Sequence, residues 1–413
     1  MMRKSRHLLC AALVLCLLMS LAPMTALAAS EEVPDISMPA AEGTADASAV
    51  AAVIGDAAMT IGDSAEDAQV AEDLGPGDPI EGDLYPSHFL GKDSCIQELY
   101  EALRLRKNEI YLYYCTSEVL TEADLDELFL TAAQYGFDAD GGDYLLCSVA
   151  DYGYYAEVIQ DGGLNYYIIG YAVAYFTTLE QEQALSAKIE ELRESIIGDA
   201  VNEYQKIKAI HDYIVQNVEV DLENAENVED LSVHSAYAAL MNGKATAQAY
   251  PMLFHRMAKQ YGIGSRIIIG TVQGEVFMWN IVRCNDVWYN VNIIANDMDS
   301  TDAYFMKGST DFPDGHQPAD MYLTEEFKNS HPMSETALNP EKELSGKAGE
   351  NVEWYYNAVT NELHVVGSGR MMDDPQIFRV QAAAPKLIVE DGVGKPILTG
   401  TDQSPVTSSH SET

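Results

Sequence analysis

The chain has 413 residues, of which 65 are acidic and 24 are Lys or Arg, giving a formal net charge of −41. That length provides for two or three domains with ample material for a hydrophobic core. No basic stripe exists to neutralise phosphates, which excludes nucleic acid as a partner and a bare electrostatic attraction to anionic lipid.

In chain order, MMRKSRH supplies a positive end, LLCAALVLCLLMSLA an apolar run, and Ala26-Leu27-Ala28 a small-residue cleavage site. Residues 1–28 are therefore expected to be a cleaved secretory signal, with no membrane span afterwards. A lipoprotein would need a small residue directly before its modified Cys, and Leu15 before Cys16 fits that poorly. From Ser30 to Gly91 there is no Lys or Arg, and Asp, Glu, Ala, Gly and Pro dominate. Few bulky apolar groups offset ordering entropy there, so residues 29–91 are expected to be a disordered acidic linker.

Order is expected from Asp93. SCIQELYEALRLRKNEIYLYY predicts a helix leading into a strand, and LTEADLDELFLTAAQYG has helical period. GDYLLCSVADYGYYAEVIQ and GLNYYIIGYAVAYFTT, rich in Tyr, Ile and Val, predict strands. LEQEQALSAKIEELRESII is a charged amphipathic helix, and Tyr204, Ile207, His211, Ile214 and Val218 mark the stripe of the next one. A short helix around VHSAYAALM precedes another beginning near Thr246, on which Ala247, Tyr250, Phe254, Met257 and Tyr261 share a face. Three strands follow, SRIIIGTV, EVFMWNIVR and VWYNVNII, the last two joined at a plausible Asn285-Asp286 hairpin turn. Helices followed by an antiparallel sheet packed on the key helix make an α+β fold.

This order of segments resembles the bacterial transglutaminase-like superfamily, which has a papain-like fold. The matching pieces run from Ile207 to Phe305: KAIHDYIVQNV, SAYAALMNGKATAQAY, YGIGSRIIIG, WNIVRCNDVWYNVN and AYF. The resemblance implies a Cys opening the key helix, a His on the following strand pair and an Asp on the strand after it. A thiol at a helix N-terminus becomes thiolate more readily, an imidazole carries the proton, and a carboxylate orients the imidazole. Carried over position by position, the nucleophile falls on Ala247, the histidine on Phe277 and the acid on Asn292. Asn can orient a histidine, but Phe277 cannot act as a base and Ala247 has no atom to attack a carbonyl.

Rescue by other residues is not expected. Cys284 abuts the turn on the opposite strand face from Phe277. His255 lies about 12 Å from Ala247 by helix rise, and His211 reads as a packed helix residue. After signal removal four cysteines remain, Cys95, Cys115, Cys147 and Cys284, with no zinc spacing and three possible pairings or none. The carboxylates of DADGGD, Asp138 to Asp143, and of Asp297, Asp299 and Asp302 lack EF-hand spacing and read as polar turns. No metal and no cofactor are expected. The many tyrosines suit binding surfaces, but in strands they read first as packing.

Near the C-terminus, SGKAGENVEWYYNAVTNELHVVGSGRMMDDP and KLIVEDGVGKPILTG resemble the small β module preceding BspA-type leucine-rich repeats, with Ala348 where that module commonly has Cys. The organisation expected is thus a companion α/β region over 92–200, a transglutaminase-like domain over 201–332, a linker over 333–343, a β module over 344–400 and a disordered tail over 401–413. The functional expectation is a secreted, cell-surface-associated pseudoenzyme that binds a peptide, protein or cell-wall ligand. Its cleft would be lined by Gln248, Tyr250, Trp279 and Asn280. The competing expectations are a cysteine acyl transferase or peptidase with a displaced nucleophile, and a purely structural surface domain.

Overall fold

The computed structural model describes residues 89–136, 138–225, 230–272, 274–371, 386–390, 393–394 and 407–408. The expected signal, all but the end of the acidic linker, and nearly all of the tail lie outside the described residues. Every element below belongs to one compact unit that begins at Leu90.

The first region is an antiparallel sheet of three strands backed by two helices. Helix α1 (Lys92–Arg104) runs into strand β1 (Glu109–Thr116), and helix α2 (Glu122–Ala133) is started by a capping box between Thr121 and Asp124. Strands β2 (Val149–Asp161) and β3 (Leu164–Tyr175) form a long hairpin, with β3 central. Ile110, Leu112, Ile169 and Val173 pack with Leu99, Leu103, Leu128 and Phe129 into one core. Between α2 and β2 the sequence predicts strand from Gly142, but Asp143–Ser148 form a short helix, α3. The reason is tertiary: the buried Asp143 carboxylate receives Arg266 Nε and Nη2 at 2.6 and 2.8 Å and the Ile267 amide at 3.0 Å. Those partners lie more than a hundred residues away, so local propensity could not announce them.

The second region holds the key helix. Helices α4 (Leu179–Ile197), α5 (Glu203–Asn217) and α6 (Ala236–Asn242) start at Thr178, Asn202 and Ser235, whose side chains accept from first-turn amides. A parallel pair, β4 (Glu219–Val220) with β5 (Lys244–Ala245), then leads into helix α7 (Ala249–Gln260). Every residue of α7 from Ala249 to Ala258 is buried, not one face as its period predicts, because helices pack around it and a sheet covers it. Each large apolar side chain so buried, Phe254 for example, contributes about 1.5–3 kcal/mol.

That sheet is antiparallel in the order β8–β7–β6–β9, from β6 (Ser265–Val272), β7 (Glu275–Cys284), β8 (Val287–Val291) and β9 (Gln317–Pro318). Asn285 and Asp286 both have positive φ, 49° and 64°, as a two-residue type I′ hairpin requires. Strand β8 ends earlier than VWYNVNII suggests. Asn292 Oδ1 accepts the Ala295 amide at 3.2 Å and caps helix α8 (Ile293–Asp299).

The boundary expected at residue 200 follows α4, yet Leu185, Ile189 and Ile197 of α4 lie in the core of the second region. A buried ionic node joins the two regions there. Glu182 on α4 meets Arg106 at 3.1 Å and Arg256 at 3.4 Å, and accepts from Thr177 at 2.6 Å and Tyr144 at 3.0 Å.

Strands β10 (Leu344–Lys347), β11 (Val352–Asn357) and β12 (Glu362–Gly367) make the C-terminal module, extended in parallel by Lys386–Val389. Ala348, Val352, Trp354 and Leu363 form its core. It docks on the start of α5, where Asn202 Nδ2 donates to Tyr356 Oη at 2.9 Å and Gln205 Nε2 to the Ala358 carbonyl at 2.9 Å.

Candidate functional site

The entry to α7 is built to hold a side chain at a helix N-terminus. Thr246 is fixed by its amide on the Val233 carbonyl at 3.0 Å and its hydroxyl on His234 Nδ1 at 3.0 Å, and Ala247 and Gln248 make the turn before Ala249. The residue displayed there is Ala247, 8% exposed. The N-terminal field of α7 is present, but a methyl group has no charge for it to stabilise.

Phe277 stands on β7 opposite Gly270. A Cβ on Gly270 would lie 2.2 Å from the Gln317 carbonyl oxygen and 2.7 Å from the Trp279 ring. Glycine therefore lets β9 close onto β6, and that approach brings His316 over this end of the sheet. The His316 ring meets Phe277 edge-on at 6.3 Å, Trp279 at 5.0 Å and Phe312 at 4.0 Å.

His316 is the site residue that sequence reasoning missed. It lies beyond the segments that carry the resemblance, and no spacing marks it. Its Nε2 is 3.1 Å from Asn292 Nδ2, and its Nδ1 is 2.6 Å from the Pro313 carbonyl oxygen. Because Asn292 Oδ1 already accepts the Ala295 amide, its Nδ2 must donate to the imidazole. His316 then carries its proton on Nδ1, where it bonds to Pro313, and its Nε2 lone pair is occupied. Asn292 thus stands beside His316, and their hydrogen bonds are directed at each other and at Pro313.

None of the four cysteines restores a nucleophile–base pair. Cys284 donates to Glu343 Oε1 at 3.0 Å, and burial together with that carboxylate pushes its thiol far above the usual range. Cys95, pushed up to about 12 by burial, points at the Tyr113 carbonyl at 3.8 Å. Cys147 lies 3.8 Å from Met278 Sδ, and Cys115 is half-buried in β1. A buried thiol without a cationic neighbour stays protonated and inert.

His255 is enclosed within α7, and burial pushes it down to about 3, so it is neutral. His211 is bound on both nitrogens: Nδ1 lies 2.9 Å from Asp212 Oδ1 and Nε2 2.9 Å from the Asn296 amide. It is a satisfied core histidine.

The four residues expected to line a cleft are interior instead: Gln248 is 4% exposed, Tyr250 0%, Trp279 1% and Asn280 0%. Trp279 Nε1 donates to Asn290 Oδ1 at 3.2 Å, and Asn280 Nδ2 donates to the Pro251 carbonyl at 3.0 Å. The Tyr250 hydroxyl lies 2.9 Å from the Val218 carbonyl oxygen and 3.1 Å from Asp297 Oδ2. Burial raises the Asp297 carboxyl, while the hydrogen bond from Tyr250 works against that rise. These side chains are enclosed in the scaffold, with Asn280 Oδ1 left without a hydrogen-bond partner among the described residues.

The acidic turns are engaged as well. Asp140 pairs with Arg104 at 3.1 Å, Asp143 with Arg266, and Asp302 approaches Lys208 at 3.5 Å. Among the described residues no group of three or more His, Cys, Asp or Glu is placed to hold a metal ion, and no helix is long and apolar enough to cross a membrane.

Helices followed by an antiparallel sheet packed on a central buried helix form an α+β core, and residues 190–295 match the transglutaminase-like superfamily. This segment is a transglutaminase-like domain. Among solved structures, the chain is similar to a TGase at 16% identity, covering 47% of this chain and 56% of that one, with a TM-score of 0.25. It is also similar to a proposed cysteine protease from Cytophaga hutchinsonii at 13% identity, covering 35% and 65%, with a TM-score of 0.23. A proposed protease from Parabacteroides distasonis matches at 12% identity over 34% and 36%, with a TM-score of 0.21. The chain thus spans about half the length of the TGase, and likenesses at this level carry no argument about activity. A comparison with curated proteins returned no match. Within this segment Ala247 stands just before α7 and Phe277 near the start of β7.

Proposed function

We propose that this is an exported, non-catalytic transglutaminase-like protein that serves as a binding or scaffolding module at the cell surface. The observation that carries the proposal is the pairing of Ala247 with a neighbourhood closed on itself, Phe277 packed beside a His316 whose two nitrogens are committed. Acyl transfer needs a nucleophile and a base with a free lone pair aimed at it. Cys284 and Cys95, hydrogen-bonded to a carboxylate and a carbonyl, and Cys147, set against a thioether, give no support to a displaced nucleophile. Interior placement of the expected cleft residues favours ligand contact elsewhere on the surface, with the transglutaminase-like core as a rigid frame. The N-terminal apolar run and the resemblance of the C-terminal module to bacterial surface proteins support export and surface association.

The test is to assay the mature chain for amine incorporation into glutamine peptides and for peptide hydrolysis, beside a variant carrying Ala247→Cys, Phe277→His and Asn292→Asp together. No turnover is expected from the natural chain. Turnover that disappears on replacing any one of Cys95, Cys115, Cys147 or Cys284 by Ser would overturn the non-catalytic reading. Detection of the protein only inside cells would overturn export.

A further inference from the structure

A second cleft, of about 810 Å³, opens at the far end of the same sheet. It lies between the C-terminus of α7, the ends of β7 and β8, and helix α9 (Glu325–Ser330). Along β7 its Arg283 is about 20 Å from Phe277 by strand rise, so it is separate from the former catalytic position. Its charge is the opposite of the chain's. A protein with 65 acidic and 24 basic residues places Lys259, Arg266 and Arg283 together here, with Glu326 as the carboxylate on the rim.

These cations are not simply neutralised. Arg266 is fixed: Asp143 takes its Nε and Nη2, and its Nη1 donates to His331 Nε2 at 3.0 Å. Among the described residues Arg283 pairs only with Asp286, 96% exposed, at 3.9 Å. Lys259 makes no ion pair among the described residues. Burial and then Arg266 lower its pKa, Asp143 and Asp138 partly offset them, and Arg283 lowers it further. A half-buried ammonium that makes no ion pair gains from an anion brought into the cleft. The other walls are apolar. Trp288, Phe327, Ile263 and Met321 line the cleft, and the His331 ring is stacked on Phe327 at 4.2 Å. The volume falls within the range of small-ligand sites.

We propose that this cleft binds an organic carboxylate, its anionic end held by Lys259 and Arg283 and its apolar part lying along Trp288 and Phe327. A cationic end and an aromatic wall select an amphiphilic anion of amino-acid to short-peptide size, such as the free C-terminus of a peptide ending in an aromatic residue. Arg266 is the fixed member, a positioning residue that keeps β6, α3 and α9 together behind the site. This adds a ligand class to the binding role proposed above, yet stands on its own geometry. It would hold even if the transglutaminase-like domain proved catalytic.

The probes are N-acetyl-phenylalanine, its neutral amide and inorganic phosphate, titrated calorimetrically into the full mature chain. The carboxylate is expected to bind with a Kd of about 1 mM or tighter, the amide and phosphate at least about tenfold more weakly. Lys259→Gln and Arg283→Gln are each expected to weaken the carboxylate about tenfold, and Lys259→Arg to retain it. Arg283 is surface-exposed, so R283Q reports on binding even if K259Q folds poorly, and an unchanged melting temperature verifies each fold. Equal affinity for acid and amide, equal affinity for phosphate, unchanged binding in both Gln variants, or no binding of the carboxylate would each overturn the proposal.

Discussion

Replacing Glu182 by Gln tests the node on which both main regions depend. The Glu182 side chain is 7% exposed and faces guanidiniums that are 4% (Arg106) and 1% (Arg256) exposed. It also accepts hydrogen bonds from Tyr144 and Thr177. Glutamine keeps the shape but removes the charge, and its NH₂ must face a donor. Two cations are then buried without a counter-charge. Breaking a buried ion pair on one side costs about 3–5 kcal/mol, far more than the ~1 kcal/mol of one neutral hydrogen bond. The assay is urea unfolding followed by far-UV circular dichroism and tryptophan fluorescence together. The expected result is a loss of about 3–5 kcal/mol, with the two signals separating if the regions come apart. Adding Arg256→Met to Glu182→Gln should recover part of the loss by removing one orphaned charge. A loss below about 1 kcal/mol, or no recovery in the double variant, would refute the reasoning, because it would mean water reaches the guanidiniums.

Three further outcomes follow from other contacts. Gly270→Ala places a methyl group against the Gln317 carbonyl and Trp279, so β9 and His316 must move; a loss of about 1–3 kcal/mol is expected, and a thermal shift near zero would contradict it. His255 has its pKa depressed to about 3 by burial, so its contribution to stability is present above the unfolded value and is lost as pH falls. Each pH unit below about 6.5 should cost up to ~1.4 kcal/mol, and His255→Met should flatten that acid limb in denaturant titrations. Glu343 is shifted the other way, raised chiefly by burial while Cys284 bonds it and Glu203 opposes it. Its contribution is present below the unfolded carboxylate value and lost as pH rises through the folded one. Glu343→Gln should therefore melt higher relative to the natural chain at neutral pH than at pH ~4.5, and a constant difference would count against the assignment.

How far the sequence could be read depended on how local each signal was. The helical segments LTEADLDELFLTAAQYG and LEQEQALSAKIEELRESII and the Asn285-Asp286 turn rest on signals within a few residues, and each stands where the pattern places it. Asp143–Ser148 reads as strand from composition, yet a distant arginine makes it a helix start. Asn292 reads as a strand residue because its neighbours are Val and Ile, yet it caps α8. That Ala247 carries no nucleophilic atom was legible because it is a fact of composition at one position. The lining of the cleft was not, since Tyr250, Trp279 and Asn280 advertise binding chemistry and only packing shows them enclosed.

The sequence by itself determined the acidity, the α+β order of elements and the presence of Ala at 247 and Phe at 277, because these are properties of residues at known positions. Tertiary structure alone decided that His316 closes over Phe277, that the Asn292 amide occupies its lone pair, and that Lys259, Arg266 and Arg283 share one cleft. Those facts depend on which strands meet, through Gly270 against Gln317 and Asp143 against Arg266. Charge and hydrogen-bonding capacity are written residue by residue, but what they face is fixed only when distant segments pack.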